Sequence, residues 1–240
     1  MFKNLIIICL MPIAAYTQNY KEEVLEIGKQ FGDLKNYSMV MHYQLYLDNT
    51  YAKPFQERKI NIKCMDNNML MLQNNGMEVM QNDKFQVIVN PQAKSFAAIK
   101  VQKAETDDIK PASIYATLTS SIDSAIVMLE KIKMVEKSNE KVKYELIYKP
   151  NDQINRMILV INKQKKMYES VTVIYKKPIK VNELDGKMHF VTLKISYNEF
   201  KPNSITNTSF FNETNYITID KSGKINPIKK YAGYEKIITQ

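Results

Sequence analysis

Residues 64–81, CMDNNMLMLQNNGMEVMQ, contain two short apolar runs on either side of an Asn-Asn-Gly turn signal. Apolar runs flanking such a turn are typical of a β-hairpin, and an Asn-Gly pair suits the positive φ angles of a type I′ turn. The stretch carries five methionines: Met65, Met69, Met71, Met77 and Met80. It therefore predicts two paired strands that are unusually rich in methionine.

Strand patterns continue on both sides of this hairpin. Residues 37–48, YSMVMHYQLYLD, alternate so that one face is entirely apolar. After the hairpin, turn residues separate further strands, and a second series begins near residue 141 and ends in a hairpin around Ser222 and Gly223. The sequence thus predicts two antiparallel strand meanders.

Two segments follow a helical period instead. In residues 19–31, Tyr20, Val24, Ile27 and Phe31 fall on one face of a short helix. Residues 113–134, SIYATLTSSIDSAIVMLEKIKM, predict a longer helix inserted between the two meanders. These elements predict an α+β fold, in which a curved antiparallel sheet or incomplete β-barrel wraps around helices, as a single domain over residues 18–240.

The first residues predict export. Residues 1–17 combine Lys3 with an apolar run from Leu5 to Ala15, which is typical of a signal peptide and too short for a membrane anchor. We therefore expect a periplasmic or secreted protein with no membrane span after cleavage. Cleavage would leave Cys64 as the remaining cysteine, and a small apolar residue facing the core is its expected role.

The rest of the composition favours a binding protein over an enzyme. The formal charge is +9, but the lysines are dispersed and no nucleic-acid module is present; residues 162–168 and 174–180 would together make a basic patch. His42 and His189 lack carboxylates or cysteines at metal-ligand spacing, and the sequence contains no phosphate loop or nucleophile elbow. We expect no catalysis, metal or cofactor.

The methionines allow two interpretations. Methionine is flexible and polarisable, so a methionine-rich wall adapts to acyl chains of varied shape, but methionine is also an ordinary core filler. The first interpretation predicts a ligand cavity lined by Met39, Met41, Tyr43, Met69, Met71, Met77 and Phe85. The sequence leaves open whether this space is hollow or filled.

The order of elements resembles a known superfamily. A signal peptide, a short helix leading into FGDLKNYSMVMHYQLYL, a meander ending in KFQVIVNPQAKSFAAIKV, an inserted helix and a second meander are similar to the periplasmic lipoprotein carriers of the LolA/LolB type. That resemblance implies an incomplete antiparallel barrel that holds helices against its concave face, and an apolar cavity for acyl chains.

These observations lead to two main hypotheses. The first is a periplasmic binding protein that holds a lipid or an acylated protein in a hydrophobic cavity, with the inserted helix as a lid. The alternative is an envelope interaction module with a filled core, which docks another envelope protein through strand edges or a basic face. An enzyme with a dispersed active site ranks third.

Overall fold

The structure is a computed structural model that describes residues 19–30, 33–48, 52–66, 69–101, 126–150, 152–181 and 187–239. The predicted signal peptide at 1–17 and the predicted helical residues 113–125 lie outside these ranges. No helix within the described ranges has the length and apolar character needed to span a membrane.

Strands dominate the described residues. Helix α1 covers residues 19–30. The strands are β1 (Asn36–Leu47), β2 (Gln56–Met65), β3 (Met69–Asn74), β4 (Met77–Gln81), β5 (Phe85–Asn90), β6 (Ser95–Lys100), β7 (Leu129–Lys137), β8 (Lys141–Tyr148), β9 (Ile154–Asn162), β10 (Met167–Tyr175), β11 (Ile179–Lys180), β12 (Met188–His189), β13 (Val191–Pro202), β14 (Ile217–Ile219), β15 (Ile225–Pro227) and β16 (Glu235–Thr239). Short 3-10 helices lie at Thr208–Phe211, Glu213–Asn215 and Lys229–Tyr231.

Twelve of these strands form one hydrogen-bonded sheet, in the order β16-β6-β5-β4-β3-β2-β1-β13-β10-β9-β8-β7. Neighbours from β2 to β6 and from β7 to β10 pair antiparallel. Strand β16 departs from this pattern and runs parallel to β6. The α+β class and the large, mostly antiparallel sheet are confirmed. The wrapping around helices is not, since α1 is the one long helix in the described part of the chain.

The chain divides into two compact units. The first lies within Met1–Gly32, His42–Glu57 and Ile114–Asn198, and the second lies within Asp33–Met41, Arg58–Ser113 and Glu199–Gln240. Strands β1 and β13 contribute residues to both units. The single domain over 18–240 stays a prediction.

Helix α1 supplies the core of the first unit with the apolar face that its spacing predicts. Tyr20, Val24 and Ile27 are buried, and the ring of Tyr20 meets that of Tyr144 on β8 edge to face at 5.4 Å. The other end of the helix contacts the β9–β10 loop, where Gln30 donates a hydrogen bond to the carbonyl of Lys165. The helical period and the buried face are therefore confirmed for these three residues, and Phe31, the fourth residue of that face, lies outside the described residues.

The two lysine-rich stretches do not form one patch. Residues 162–168 include the β9–β10 loop, whereas residues 174–180 begin at the other end of β10. A nine-residue strand is about 26 Å long, so the two groups are far apart. In the first group, the ammonium of Lys166 lies 2.7 Å from the carboxylate of Glu26 on α1.

The end of the predicted inserted helix is a strand. Residues from Leu129 onward form β7, in which Ile132 is buried opposite Leu146 of β8. The helical prediction is wrong for residues 129–134. Their sequence has a helical period, but cross-strand pairing with β8 stabilises the strand more than the local helical preference stabilises a helix.

The hairpin at Asn74-Asn75-Gly76 forms, but its turn is not of type I′. Asn74 pairs with Met77, which leaves a two-residue loop as predicted. Neither Asn75 nor Gly76 has a positive φ. The side chain of Asn74 instead accepts a hydrogen bond of 2.8 Å from the Gly76 amide, an Asx turn that needs no left-handed residue.

Four of the buried tyrosines in the first unit have raised pKa values. Burial raises the pKa of Tyr20 and of Tyr197 to about 12. Burial also raises the pKa of Tyr144 and of Tyr168. These hydroxyls stay neutral in the fold at pH values where the unfolded chain, with its ordinary tyrosine pKa of about 10, ionises.

We therefore expect alkaline destabilisation. Since the pKa values in the folded state exceed those of the unfolded state, this contribution to stability is complete below pH 10 and declines as the pH rises from about 10 to 12. Each tyrosine that ionises only on unfolding contributes a slope of about 1.4 kcal/mol per pH unit. Urea unfolding followed by circular dichroism should show the decline, and Tyr20→Phe should make it shallower. A free energy of unfolding that is unchanged up to pH 11.5 would contradict the expectation.

Candidate functional site

The methionine-rich face of the second unit is covered by the residues that follow β13. Met65, Met71 and Met80 are buried in one cluster with apolar side chains of β5 and β6. The C-terminal segment, residues 205–231, completes that cluster with Ile205, Phe211, Tyr216, Ile217, Ile225 and Tyr231. The methionines thus fill a core at this place, where burial shields their thioethers from oxidants.

Specific polar contacts hold the start of the C-terminal segment. The side chain of Asn36 accepts a hydrogen bond of 2.8 Å from the Ile205 amide, and its carbonyl accepts one from the Asn203 amide. Further along, the Lys63 ammonium lies 3.4 Å from the centroid of the Phe210 ring, a cation–π contact. The segment is therefore attached to β1 and β2 before it crosses the sheet.

Stacked aromatic rings hold its far end. The ring of Tyr231 lies parallel to that of Tyr216, 6.3 Å between centroids, and packs on Phe96 of β6 at 5.6 Å. The hydroxyl of Tyr216 donates a hydrogen bond to the carboxylate of Glu78 on β4. Burial and this bond raise the pKa of Tyr216, so its hydroxyl remains a donor.

A buried asparagine joins the sheet to the C-terminal segment. The Asn82 side-chain oxygen accepts hydrogen bonds from the amides of Lys84 and Phe85, which shapes the β4–β5 turn. Its amide group donates to the Phe211 carbonyl at 2.9 Å and to the Glu213 carboxylate at 2.8 Å. All the hydrogen-bonding capacity of one buried side chain is used at this junction.

A pocket of about 560 Å³ opens beside this junction. One wall is the sheet: Phe85 at the start of β5, its cross-strand partner Lys100, and Val101. The other wall is the β14–β15 hairpin, which contributes Ile219 and Ile225. Pockets of 300–1,000 Å³ with mostly apolar walls are the usual sites of small ligands.

The hairpin wall is held rigid by its loop. The Asp220 carboxylate accepts hydrogen bonds from the amides of Ser222 and Lys224 and from the Ser222 hydroxyl. Gly223 follows with φ +85°, a left-handed conformation that glycine adopts without strain. Gly223 lines the pocket, and a Cβ built on it would meet no atom within 4 Å, so the pocket mouth is open on this side.

Three charged residues, Asp83, Lys84 and Lys100, also line the pocket. The Lys84 ammonium lies 3.5 Å from the Glu213 carboxylate. Burial alone would raise the pKa of Glu213. Its hydrogen bonds to its own backbone amide and to Asn82, together with the charge of Lys84, outweigh burial and lower it, so this carboxyl is ionised at neutral pH.

Three of the seven predicted cavity residues lie together. Phe85 and Met71 are buried in the cluster described above, and Met69 is partly buried against it. Phe85 also borders the pocket. The adjacency of the β3 methionines to Phe85 follows from the order β3-β4-β5 in the sheet.

The other four are dispersed. Met39 is buried on β1 and Met41 is half-buried two residues later, both in the second unit. Tyr43 is half-buried in the first unit. Met77 is 39% exposed at the β3–β4 turn. The predicted cavity wall as a whole stays a prediction.

Both histidines lie in polar pairs within the first unit. His42 pairs with the Glu57 carboxylate. His189 contacts Asp48 at 2.8 Å, and that hydrogen bond together with the Phe190 amide lowers the pKa of Asp48. Within the described ranges, no group of three or more His, Cys, Asp or Glu side chains could hold a metal ion. Cys64 is buried on β2.

Sequence reasoning missed most of the pocket. Lys84, Lys100, Ile219 and Ile225 come from two regions far apart in the chain, and each by itself reads as an ordinary strand or turn residue. The turn at Ser222 and Gly223 was a correct local signal for the hairpin. Nothing in the sequence showed against which part of the sheet that hairpin packs.

No family model and no curated protein matches the chain. Solved structures similar to this chain include an uncharacterised conserved protein from Thermus thermophilus, with 10% identity, a TM-score of 0.44 and coverage of 91% of this chain and 98% of that chain. A LolA superfamily protein from Nitrosomonas europaea has 8% identity, a TM-score of 0.33 and coverage of 80% and 97%. The lipoprotein LppX from Mycobacterium tuberculosis has 10% identity, a TM-score of 0.37 and coverage of 79% and 97%. One of these structures belongs to the LolA superfamily, the family that the order of elements resembles.

The Asn82 junction makes a testable prediction. Asn82→Ala should lower the free energy of unfolding by about 2–4 kcal/mol, because it leaves buried amides, a carbonyl and a carboxylate without their partner. Urea unfolding followed by circular dichroism measures the loss.

The matched control for this substitution is Asn90→Ala in the next turn of the same meander. The Asn90 side chain accepts one exposed hydrogen bond, from the Ala93 amide, so its removal should cost less than about 1 kcal/mol. Equal losses for the two variants would show that Asn82 is an ordinary turn residue.

Proposed function

We propose that this chain is a non-catalytic binding protein of the cell envelope, which holds the acyl chain of a lipid or of a lipidated protein in the pocket beside Phe85. The single observation that carries the proposal is the pocket itself, about 560 Å³ between the sheet and the β14–β15 hairpin. The predicted signal peptide at 1–17 supports the envelope location.

The lining of the pocket supports an alkyl ligand. Phe85 and Ile225 form its buried parts, while Ile219 is 51% exposed at its side. An alkyl chain that covers these side chains removes apolar surface from water on both partners, at about 25 cal/mol per Å². Because Ile219 is the most exposed of these side chains, it would lose the most solvent-accessible apolar surface when an alkyl chain binds.

The walls also support binding without large rearrangement. Asn82 connects the β4–β5 turn to Phe211 and Glu213, and the Asp220 carboxylate fixes the loop of the opposite hairpin. A pocket whose walls are held before the ligand arrives loses little conformational entropy on binding. Affinity would then follow mainly from the apolar area that the ligand covers.

A second candidate function is docking of another envelope protein. It is favoured by the filled core, since Met71 and Met80 pack against the C-terminal segment instead of lining an open space. The sheet also ends in strands β7 and β16, and Val135 on β7 and Ile237 on β16 are more than half exposed. An edge strand with unpaired backbone groups can accept a strand from a partner.

An exposed pocket residue allows a direct test of the acyl-binding proposal. Ile219→Asp should weaken binding of a fluorescent hexadecanoic acid probe by at least about tenfold, because an alkyl chain would have to lie against a carboxylate. Fluorescence titration of the purified protein measures the affinity. Since Ile219 is half exposed, the variant should fold normally.

Ile237→Asp is the matched control. Ile237 is 64% exposed on β16, in the same unit but outside the pocket lining, so this variant should bind the probe as the unchanged chain does. If the unchanged chain takes up no probe, the acyl-binding proposal is wrong and docking of a protein partner takes its place. Equal weakening by both aspartates would place binding outside this pocket.

A further inference from the structure

The charged residues that line the pocket indicate which kind of amphiphile it would bind. Two of the three charged residues that line the pocket are lysines, Lys84 and Lys100, and the third is Asp83. Lys84 is paired with the Glu213 carboxylate. Phe85, Ile219 and Ile225 line the apolar part of the pocket. Such an arrangement complements a molecule with one anionic end and one alkyl chain.

The two lysines are not equivalent. The Lys84 ammonium forms an ion pair with the Glu213 carboxylate, to which Asn82 donates a hydrogen bond of 2.8 Å. No ion pair involves Lys100 within the described part of the chain, and its ammonium is exposed to solvent. Lys100 is thus the cation whose charge is available to a ligand.

The position of Lys100 also fits this role. It is the antiparallel partner of Phe85, so the two side chains leave the sheet on the same face. A lysine beside a buried aromatic residue lies with its apolar stem along the wall and its ammonium at the water boundary. A ligand whose chain contacts Phe85 would have its head group near that ammonium.

We propose that the pocket takes a single-chain anionic amphiphile, with its carboxylate or phosphate at Lys100 and its alkyl chain between Phe85, Ile219 and Ile225. This inference rests on the proposed function and adds the chemistry of the head group to it. A carboxylate would come from a free fatty acid and a phosphate from a phospholipid with one chain. A charge-assisted hydrogen bond to Lys100 would favour both over neutral analogues.

Two matched pairs of probes test the inference. Hexadecanoic acid and hexadecan-1-ol share an alkyl chain and differ in the head group, as do a one-chain lysophosphatidic acid and the corresponding monoacylglycerol. We measure their affinities for the full chain by displacement of the fluorescent probe, below micellar concentrations. The anionic member of at least one pair should bind about tenfold more tightly. A preference in the carboxylate pair alone identifies fatty acids, and one in the phosphate pair alone identifies phospholipids.

Lys100→Gln should reduce that preference to twofold or less and leave the affinity for the neutral member unchanged. Lys59→Gln removes the same charge from an exposed position on β2, outside the pocket lining, and should keep the full preference. An equal effect of the two substitutions would overturn the assignment to Lys100.

The outcomes separate the two proposals. Equal affinity for the charged and neutral members of both pairs would overturn the anionic head group while acyl binding stands. Failure of every probe to bind would overturn the proposed function, and this inference with it.

Discussion

The apolar face of strands β2 to β6 must be covered, and the rest of the second unit depends on how residues 205–231 cover it. A sheet with one apolar face is stable in water only when another layer packs on that face. Among the described residues, this layer consists of short 3-10 helices and a small hairpin. Methionine suits such an irregular partner, because its flexible side chain fills gaps that branched residues leave open. The abundance of methionine on these strands therefore has a packing explanation in the covering segment itself.

The pocket is a by-product of the same packing. The covering hairpin is only three residues long on each side, and Ile225 is buried while its partner Ile219 remains half exposed. The end of β5 and β6 near Phe85 consequently keeps open space beside it. Asn82 and Asp220 hold the two sides of this space, so it does not depend on long flexible side chains for its shape. The cavity therefore lies between the sheet and the segment that packs on it.

Local patterns predicted most of the fold. Strand β1, the Asn-Gly hairpin and the apolar stripe of α1 each reflect patterns of residues that are close in sequence, and each is present in the structure. The prediction was wrong for residues 129–134. Their sequence fits both helical spacing and strand alternation, and pairing with β8 stabilises the strand. The prediction was also wrong for the Asn75-Gly76 turn, where an Asx hydrogen bond replaced positive φ angles. The pocket could not be predicted, because Phe85 and Ile219 meet only through tertiary packing.

The parallel pairing of β16 with β6 affects the order in which the second unit can fold. Strands β2 to β6 can form successive hairpins early in folding, whereas β16 and the residues before it come from much later in the chain. Contacts between distant residues form slowly, since a long loop must close before they are made. Until then the methionine face of the early strands is exposed to solvent, and a sulfoxide formed there would place a polar group where residues 205–231 later have to pack. The form of this protein most vulnerable to oxidation is therefore the partly folded chain, and the order of its strands along the chain sets how long that form persists.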